Sequence, residues 1–462
     1  MISNTLPYYP NSAKINSKNH LEIGDYDLVE LVERFGSPLY VLDEQTIRET
    51  AREYKKALAD FYPNSLPIFA TKALCLQAVF AIMAQEGFGL DVVSAGELYT
   101  AQSIQFPADQ VFLHGNNKSK EELQMACEYR NNEGGAKTII DNFHEIKLLA
   151  EIGKPIDALI RITPGVECHT HDYIKTGHLD SKFGFDLEQL DSAIELIQSA
   201  KNINLIGLHS HIGSQIFEIT PYQDAARIVL EQYVRIKEKY GIEFTHLNLG
   251  GGFGIHYTES DDPPNIREVI KQIATTVKSL LSEFNLKEPT LILEPGRSMV
   301  GRAGVTVYSV GSTKQVPEGR LYVAVDGGMA DNPRPITYQA KYQACLVNRV
   351  LVDEESVCTV AGRYCESGDI LLKDINLPSD IKQGDLLAVF STGAYNYSMS
   401  SNYNRVGKPM MVLVSNGEAE IVLRRESMED LIRNDVLPSR LIDISESAKN
   451  QISQKSWKEK VH

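Results

Sequence analysis

Eight short β-rich runs alternate with helical segments between residues 66 and 294, and this alternation constrains the fold more than any other feature. Nearly continuous apolar character, as in the run that begins at Asp157, is typical of strands buried on both faces of a sheet. Eight such strands with intervening helices predict an α/β fold, a (β/α)₈ TIM barrel. An open doubly wound sheet is the alternative, because a strand count does not prove closure. The predicted strands are Leu66–Lys72, Phe88–Val93, Val111–His114, Lys137–Asp141, Asp157–Thr163, Asn204–His211, His246–Gly250 and Thr290–Glu294.

Helix termini within this region carry capping signals. Ser94-Ala-Gly-Glu97 and Ser119-Lys-Glu-Glu122 match the capping box, in which a hydroxyl and a carboxylate satisfy free N–H groups of the first turn. Gly153 follows the apolar helical segment Glu145–Ile152 and is predicted to end it. These signals support helices between the strands.

After residue 300 the sequence pattern changes to short β-rich runs separated by Gly, Pro, Asn and Asp. The sequence therefore predicts a C-terminal antiparallel β-sandwich or β-barrel domain. The run Pro38–Leu42 precedes a predicted helix, Thr46–Phe61, and is expected to pair with this β domain. The predicted runs are Val305–Val310, Leu321–Asp326, Ala344–Val352, Leu386–Phe390, Met410–Val414 and Ala419–Leu423.

Four segments describe the predicted organisation of the chain. Residues 1–45 form an N-terminal tail and a strand that contributes to the β domain, with Met1–His20 expected to be loose because it is rich in Asn, Ser and Pro. Residues 46–300 form the barrel, and residues 301–446 form the β domain. Residues 447–462 form a polar C-terminal tail or frayed helix.

Charge and composition exclude several function classes. The chain has 46 basic and 61 acidic residues, a net charge of −15, and an acidic chain repels nucleic acid and anionic membrane surfaces. No apolar run approaches the roughly 20 residues that a bilayer span needs. The six cysteines lack C-x-x-C spacing, which argues against a disulfide framework or a zinc cage. We expect a cytoplasmic protein with reduced thiols and neither nucleic acid nor membrane as a partner.

Polar residues follow the predicted strands at their carboxyl ends, where barrel enzymes place their chemistry. Lys72 is either a solvated lysine or a Schiff-base lysine, whose amine needs an apolar setting that lowers its pKa. Glu294 is either paired with Arg297 or held as a buried acid, a metal ligand or the partner of a protonated pyridine nitrogen. The other polar residues at strand ends are Ser94, His114, Arg161, His209 and His211.

The segment Gly250-Gly-Gly-Phe-Gly254 follows the seventh predicted strand. Successive glycines let the backbone approach a phosphate closely, with N–H groups directed at the anion. The segment does not match the dinucleotide fingerprint, because Ile255 occupies the position of the third glycine. It is either a tight turn or a phosphate site. With Gly296 after strand eight, it occupies the usual phosphate corner of a barrel.

Histidine pairs and a cysteine-containing loop complete the set of candidate residues. His209 with His211, and His169 with His171, could ligate a metal, but no third ligand stands at a recognisable spacing and no metal site is predicted. A histidine that packs on an aromatic ring uses the same geometry. Cys365-Glu-Ser-Gly-Asp369 places a cysteine beside two acids, so Cys365 is either core or a proton donor or nucleophile.

Together these motifs resemble those of the diaminopimelate decarboxylases, pyridoxal-phosphate enzymes of the alanine-racemase-type barrel fold among the class II ornithine, lysine and arginine decarboxylases. The resemblance extends from about Gly36 to Glu426. The stretches His169–Gly177 and Asp180–Gly184 are specific to this family, whereas decarboxylases of ornithine or arginine share only the lysine, glycine and E-P-G-R elements. Phe69 stands where many relatives have tyrosine. The other matching segments are Ala70–Ala73, Leu90–Glu97, His114–Ser119, His211–Gln215, Gly250–Gly254, Glu294–Arg297, Cys365–Gly368, Gly393–Tyr395 and Met399–Asn402.

This resemblance implies that the cofactor is pyridoxal 5'-phosphate, attached to Lys72 as a Schiff base. Glu294 would keep the pyridine nitrogen protonated, and His211 would stack on the ring. The phosphate would lie against Ser214, Gly252 and the backbone around Gly296, with the Tyr395 hydroxyl closing over it. The implied cofactor-binding residues are Lys72, His211, Ser214, Gly252, Glu294, Pro295, Gly296, Arg297 and Tyr395.

The resemblance also implies a substrate and a reaction. The substrate would be meso-2,6-diaminopimelate, decarboxylated to L-lysine and carbon dioxide in the last step of lysine biosynthesis. Cys365 would return a proton to the carbanion, so that Lys72 and Cys365 are the implied catalytic residues. Its loop comes from the neighbouring subunit in this family, which implies a homodimer with shared active sites. The implied substrate-binding residues are Arg297, Arg334 and Tyr338 for the distal carboxylate, Glu366 for the distal ammonium, and in addition Tyr395.

Charge supports this substrate, because two arginines and one acid suit an amino acid with a second amino-acid head. Ornithine and arginine have no distal carboxylate, and Arg297 and Arg334 would repel their cationic ends. One alternative is a decarboxylase of another basic amino acid or carboxy-polyamine, which should lack these arginines. Another is a non-catalytic pyridoxal-phosphate carrier, which should lack a proton donor and usually the second domain.

Overall fold

The computed structural model describes residues 6–166 and 181–441. The expectation that Met1–His20 is a loose tail is wrong for the part that the structure describes, residues 6–20. Tyr8 and Tyr9 are buried, and the Tyr9 ring stacks on Phe390 with 4.2 Å between ring centroids, because the aromatic pair completes the core of the β domain. Residues 1–5, the His169–Gly177 motif and the predicted tail at 447–462 lie outside the described residues. The N-terminal elements are β1 (Lys14–Ile15), β2 (Leu21–Ile23), β3 (Tyr26–Asp27), α1 (Leu28–Phe35), β4 (Leu39–Asp43) and α2 (Glu44–Phe61).

Eight parallel strands close into a barrel, which confirms the predicted TIM barrel and excludes the open sheet. Each strand lies within two residues of its predicted ends, because uninterrupted apolar runs mark strands that are buried on both faces. Apolar side chains from six of the strands, among them Ile68, Phe112 and Leu159, pack together inside the barrel. The strands are β5 (Ser65–Ala70), β6 (Gly89–Val92), β7 (Val111–Leu113), β8 (Lys137–Ile140), β9 (Ile156–Arg161), β10 (Ile203–His209), β11 (His246–Asn248) and β12 (Thr290–Leu293).

Helices connect these strands, and their termini can be compared with the capping signals predicted from the sequence. Ser119 and Glu122 form a complete capping box, and Gly153 ends its helix in the left-handed conformation with φ 68°, both as predicted. The box at Ser94 is only half formed, because the Glu97 carboxylate binds the hydroxyl of Thr71 and the N–H of Val93 instead. The helices are α3 (Gln77–Gln85), α4 (Ala95–Ser103), α5 (Lys120–Glu128), α6 (Phe143–Ile152), α7 (Leu190–Ser199), α8 (Thr220–Tyr240), α9 (Ile266–Glu283) and α10 (Arg297–Val300).

The second sheet follows the barrel in sequence, and most of its strand pairs are antiparallel, as predicted. β4 joins it, antiparallel to one strand and parallel to another, so the predicted strand Pro38–Leu42 does pair with the β domain. With a second parallel pair in the same sheet, the domain is mixed rather than purely antiparallel. Its elements are β13 (Gly304–Gln315), β14 (Leu321–Val325), α11 (Arg334–Tyr338), β15 (Ala344–Leu346), β16 (Glu355–Ala361), β17 (Ile370–Pro378), β18 (Leu386–Val389), β19 (Met410–Ser415), β20 (Glu418–Leu423) and α12 (Met428–Ile432).

Two strands of this sheet, β16 and β17, were absent from the sequence prediction. β17 forms one edge of the sheet, and both strands expose side chains such as Glu355, Lys373 and Asp374. Because an edge strand keeps one face in water, its polar residues hide the apolar run that marks a central strand. Among residues 6–166 and 181–441, no helix combines the length and the apolar character needed to cross a membrane.

Candidate functional site

The carboxyl ends of the barrel strands and loops of the β domain enclose a cavity of about 720 Å³. Most of the site residues predicted from the sequence line this one cavity. Pro295, Cys365 and Glu366 are not among the lining residues. The predicted residues that do line it are Lys72, His211, Ser214, Gly252, Glu294, Gly296, Arg297, Arg334, Tyr338 and Tyr395.

Lys72 projects from a short 3₁₀ turn, Thr71–Ala73, directly after β5. The neighbouring Thr71 hydroxyl lies 2.8 Å from the carbonyl oxygen of Asp91 and 2.6 Å from the Glu97 carboxylate. Glu97 therefore binds and fixes the turn that carries Lys72 instead of completing the capping box. The Lys72 amine donates to Asp91 Oδ2 at 3.4 Å.

Asp91 reverses the expected titration of Lys72. Burial lowers the pKa of the amine, but the charge of Asp91, with smaller contributions from Tyr395 and Glu294, raises the pKa of Lys72 above its ordinary value. The lowering of this pKa that burial alone would cause is therefore outweighed by the nearby carboxylate of Asp91. Lys72 is a cation here, held by a buried carboxylate.

Glu294 is buried at the end of β12 and receives three side-chain contacts. Its Oε1 lies 3.1 Å from His114 Nε2 and accepts a hydrogen bond of 2.7 Å from Asn248, while Oε2 lies 3.4 Å from His209 Nε2. Burial opposes ionisation, yet His114 and His209 hold the pKa of Glu294 well below its usual range. Glu294 is therefore an ionised carboxylate. The alternative pairing of Glu294 with Arg297 is not observed, because Arg297 binds elsewhere in the site.

The histidines at the barrel mouth have separate tasks. His209 faces Glu294, and burial lowers the pKa of His209 to about 4. His211 Nδ1 accepts the N–H of Gly251 at 3.2 Å, and burial, with the charge of Lys72, holds the pKa of His211 well below its usual range. The two imidazoles are thus neutral near pH 7.

His209 and His211 do not form the metal pair that the sequence allowed, since one faces Glu294 and the other faces Gly251. Within the described residues, the ligand atoms of His114, His209 and Glu294 lie within 4.8 Å of one another and are the group that could meet on one cation. His169 and His171 lie outside the described residues. The contacts of His114 and His209 with this carboxylate also account for the ionised state of Glu294.

The glycine segment after β11 forms a close backbone crossing. Gly252 has φ +100°, and a Cβ at this position would lie 2.2 Å from the carbonyl oxygen of Gly213. No side chain fits there, so the position requires glycine. Ser214 follows Gly213 in the chain, and its hydroxyl accepts a hydrogen bond of 2.8 Å from Arg297 Nη2. Arg297 Nε is buried without a hydrogen-bond partner, so this corner retains a donor for an anion.

Two arginines stand around the Tyr257 ring on the cavity wall. Arg297 Nη1 donates to the Tyr257 hydroxyl at 2.5 Å, and the Arg334 guanidinium lies 4.6 Å from the ring centroid of Tyr257. Arg334 also donates to Tyr342 at 2.7 Å. Tyr395 packs against Arg297 at 4.8 Å from its ring centroid. The wall is therefore cationic, opposite in sign to the pair Asp91 and Glu294.

The segment with Cys365 and Glu366 lies apart from the cavity. Both residues are exposed, and the N–H of Cys365 donates to Asn404 at 2.9 Å. Neighbouring Ile336 and Tyr403 are exposed apolar side chains, at 39% each. The structure of one chain thus does not bring the predicted proton donor to Lys72.

Comparison with known proteins identifies the family. The sequence profile of the pyridoxal-dependent decarboxylases, pyridoxal binding domain, matches residues 44–301. The chain belongs to the pyridoxal-dependent decarboxylases. It is 49% identical to the diaminopimelate decarboxylase of Synechocystis sp. over 94% of each chain. It is 48% identical to that of Bacillus subtilis, over 92% of this chain and 97% of the relative.

A solved structure agrees with these relatives. Diaminopimelate decarboxylase from M. jannaschii in complex with L-lysine has a TM-score of 0.85 and 34% sequence identity, covering 94% of this chain and 99% of that one. The resemblance to the diaminopimelate decarboxylases found in the sequence is confirmed, and with it the carboxy-lyase class of enzyme.

The cofactor of this decarboxylase is pyridoxal 5'-phosphate, and the residues of the cavity fit it. Lys72 offers an amine for the aldehyde, and ionised Glu294 offers a partner for the pyridine nitrogen. The crossing at Gly252 leaves space where a side chain would stand, and the unpartnered Nε of Arg297 offers a donor for the phosphate. These are the residues that could hold the cofactor.

Sequence reasoning missed several residues of this decarboxylase site. Asp91 and Asn248 lie inside predicted strands, where a polar residue in an apolar run is the signal that could have identified them. Phe183 lines the cavity and belongs to the family-specific stretch Asp180–Gly184. Tyr257 follows the glycine segment in a loop, and nothing in its sequence neighbourhood indicates its place between two arginines.

The burial of His209 predicts how stability depends on pH. The pKa is about 4 in the folded chain, but about 6.5 in the unfolded chain. The unfolded chain therefore binds the proton first, and this residue lowers the stability as pH falls from about 6.5 to about 4. Between pH 7 and pH 5 the loss is on the order of 2 kcal/mol. We expect His209→Asn to remove that part of the loss in urea unfolding at the two pH values.

The matched control is His144→Asn, which replaces an exposed histidine. It should leave the difference in the free energy of unfolding between pH 7 and pH 5 as in the parent. An equal pH dependence for His209→Asn and the parent protein would contradict the assignment of a neutral, buried His209.

Proposed function

We propose that this chain decarboxylates meso-2,6-diaminopimelate to L-lysine and carbon dioxide, the last step of lysine biosynthesis. The observation that carries the proposal is that Arg297 and Arg334 line the same cavity as Lys72. A diamino acid with a single carboxylate offers no anion to two cations on the cavity wall, whereas the second carboxylate of diaminopimelate suits them. Diaminopimelate decarboxylases at 49% and 48% identity support it.

The chain's own residues bind and orient the cofactor. When bound, pyridoxal 5'-phosphate supplies a sink for the electron pair that remains after the carboxylate leaves as carbon dioxide. Lys72 contributes the amine that attaches the cofactor, with Asp91 as the proton partner of that amine. Glu294 keeps a proton at the pyridine nitrogen, because it is ionised and buried. His211, a neutral imidazole, would pack against the ring of the bound cofactor.

The phosphate corner forms from the glycine segment and the end of β12. We propose that Ser214, Gly252 and the backbone of Pro295 and Gly296 hold the phosphate. Arg297 Nε offers a further donor there. The carbonyl of Pro295 accepts the N–H of Ala70 at 3.1 Å, which ties this corner to the strand that carries Lys72.

Substrate recognition falls to the cationic wall. Arg334 and Arg297 bind the distal carboxylate, with Tyr338 and the Tyr395 hydroxyl beside them. Tyr395 adopts φ +61°, a strained conformation for a residue with a side chain, and its N–H donates to Ala73 at 2.9 Å. That bond joins the Tyr395 loop to the turn of Lys72. This bond therefore fixes the spacing between the cationic wall and the amine of Lys72.

Proton return needs a second subunit. Cys365 and Glu366 are exposed and absent from the cavity wall of their own chain, and we propose that they complete the cavity of a partner in a homodimer. There the Cys365 thiol returns a proton to the α-carbon, and Glu366 binds the distal ammonium. The exposed side chains of Ile336 and Tyr403 beside this segment support a contact surface. A working thiol must stay reduced, which supports a cytoplasmic location.

Substrate choice tests the function directly. We expect the purified holoenzyme to release carbon dioxide from meso-diaminopimelate with L-lysine as product. L-ornithine, L-arginine and L-lysine should react at least about 100-fold less efficiently, because the charges of the two buried arginines are then left without a carboxylate as counter-ion. Carbon dioxide release and product chromatography measure both quantities.

The controls for this assay are two lysine variants. Lys72→Ala should release no carbon dioxide, whereas Lys55→Ala, an exposed lysine away from the cavity, should retain the parent activity. Comparable efficiency with ornithine or arginine would contradict the proposed substrate and favour the alternative, a decarboxylase of another basic amino acid.

Removing the Arg334 guanidinium tests the distal site. Such charge-assisted contacts contribute roughly 1.5–3 kcal/mol, so Arg334→Ala should raise the KM for diaminopimelate about ten- to hundredfold. Arg334→Lys should be intermediate, since lysine keeps the charge but not the planar pair of donors. Thermal unfolding of each variant checks the lost bond to Tyr342. An unchanged KM in folded Arg334→Ala would remove this residue from the substrate site.

Subunit mixing tests the shared site. If the segment with Cys365 crosses to the neighbour, a heterodimer of Lys72→Ala and Cys365→Ala has one intact site and one doubly altered site. Random exchange gives about half heterodimer, so activity should recover to about a quarter of the parent value. Each variant alone should be nearly inactive, because no other thiol or acid returns the proton. Heterodimers that mass spectrometry detects but that lack activity would mean the segment serves its own chain.

A further inference from the structure

Asp369 ends the motif that begins at Cys365, and the proposed chemistry gives it no task. It is only 3% exposed. Its Oδ1 accepts the N–H of Met329 at 2.7 Å, and its Oδ2 accepts the N–H of Tyr364 at 2.8 Å. One buried carboxylate therefore joins two stretches of chain that are about 35 residues apart in sequence.

Both stretches lead directly into proposed site residues. Residues 327–334, here named the substrate segment, end at Arg334 on the cavity wall. Residues 362–369, here named the donor loop, contain Cys365 and Glu366. Each Asp369 hydrogen bond ends within five residues of a group that the reaction uses: Met329 precedes Arg334, and Tyr364 precedes Cys365.

A second acid makes the same connection in the opposite direction. Asp331, in the substrate segment, is 1% exposed. Its Oδ1 accepts from the Tyr364 hydroxyl at 3.3 Å, and its Oδ2 accepts from the Tyr308 hydroxyl at 2.6 Å. The N–H of Arg363 donates to the Gly327 carbonyl at 2.9 Å. Each segment thus sends one carboxylate to the other, and a backbone bond lies beside them.

Two glycines permit this close packing. A Cβ at Gly362 would lie 2.2 Å from one Asp369 carboxylate oxygen, and a Cβ at Gly328 would lie 2.5 Å from the other. Gly362 belongs to the donor loop and Gly328 to the substrate segment. Both backbones therefore press directly against the carboxylate, so a change at Asp369 is transmitted to both segments without an intervening side chain.

We propose that Asp369 is a positioning residue that sets the donor loop against the substrate segment. It holds Arg334 in the cavity of its own chain and Cys365 in the cavity of the partner. The proposal rests on the shared site of the proposed function. Asparagine in place of Asp369 retains the size but has one acceptor oxygen instead of two, so one of the two N–H groups loses its partner.

Heterodimers with a single intact site separate the two effects. Lys72→Ala in one chain inactivates that chain's own site and leaves the site of the other chain, which receives its donor loop from the Lys72→Ala chain. Asp369→Asn placed on the Lys72→Ala chain alters that donor loop alone at the working site. We expect kcat to fall about tenfold, with KM within about twofold, since small displacements of a reacting group are costly.

The other placement puts Asp369→Asn on the chain with intact Lys72. The working site then has an altered substrate segment and an unaltered donor loop. We expect KM to rise about fivefold with kcat within about twofold, because Arg334 contributes binding. Separately tagged chains, purified by two affinity steps, supply each heterodimer for steady-state kinetics.

Asp385→Asn is the matched control in both placements. Asp385 is equally buried, at 2% exposed, and accepts from the N–H of Lys382 and from Arg349, but it contacts neither segment. It should give the same kcat and KM in the two placements. Amide hydrogen exchange without substrate adds a readout independent of activity. Exchange at Met329 and Tyr364 should be about tenfold faster in Asp369→Asn and unchanged in Asp385→Asn.

The outcomes distinguish the positioning role of Asp369 from the proposal that two chains share each active site. Equal changes in both placements, or no change in kcat and KM, would overturn the positioning role. If both effects follow the chain with intact Lys72, Asp369 positions a loop that serves its own chain. That result would support the positioning role and overturn the shared site.

Discussion

The ionised carboxylate of Glu294 is the group on which the architecture of the site depends. A buried carboxylate is costly unless donors surround it. Here the side chains that contact it come from the ends of three other strands: His114 follows β7, His209 ends β10 and Asn248 ends β11. Only a closed barrel brings these strand ends to one point. Barrel closure is therefore what allows Glu294 to be both buried and ionised.

The remaining charges divide the cavity into two ends. Asp91 and Glu294 make the end with Lys72 acidic. In the proposed function they would keep a proton available at the amine and at the pyridine nitrogen of the cofactor. Arg297 and Arg334 make the opposite wall cationic, and Tyr257 separates them. A substrate with one amino-acid head at each end matches this division. The distribution of charge, more than any single residue, therefore limits what the cavity accepts.

The sequence predicted the barrel well because one physical signal dominates there. Strands buried on both faces need apolar runs, and eight such runs alternate with helical segments between residues 66 and 294. The same logic failed for β16 and β17, whose solvent-facing residues break the run, and for Tyr8 and Tyr9, whose burial depends on a distant Phe390. Contacts between remote segments leave no local pattern.

The residues of the site also divide into those that the sequence predicted and those that it did not. Lys72, the glycine segment and Glu294 were predictable as strand-end residues. Asp91 stood out only as a polar residue in an apolar run, and its effect on the pKa of Lys72 was not predictable. Titration depends on neighbours in space, and a sequence shows only neighbours in the chain. For Cys365 and Glu366, neither the strand pattern nor the single chain places them near Lys72; the family resemblance alone does so.

Exposure of Cys365 then becomes an argument about the assembly. Proton return to one face of a carbanion requires that water be kept away from that face, since water would compete as the donor. A thiol at an open surface cannot satisfy this condition, and neither can a cavity that is open where the thiol is missing. A contact that delivers Cys365 to a partner's cavity meets both needs at once, because the protein surface that carries the thiol also covers the opening. On this view, dimerisation and exclusion of water are one requirement of the proposed reaction.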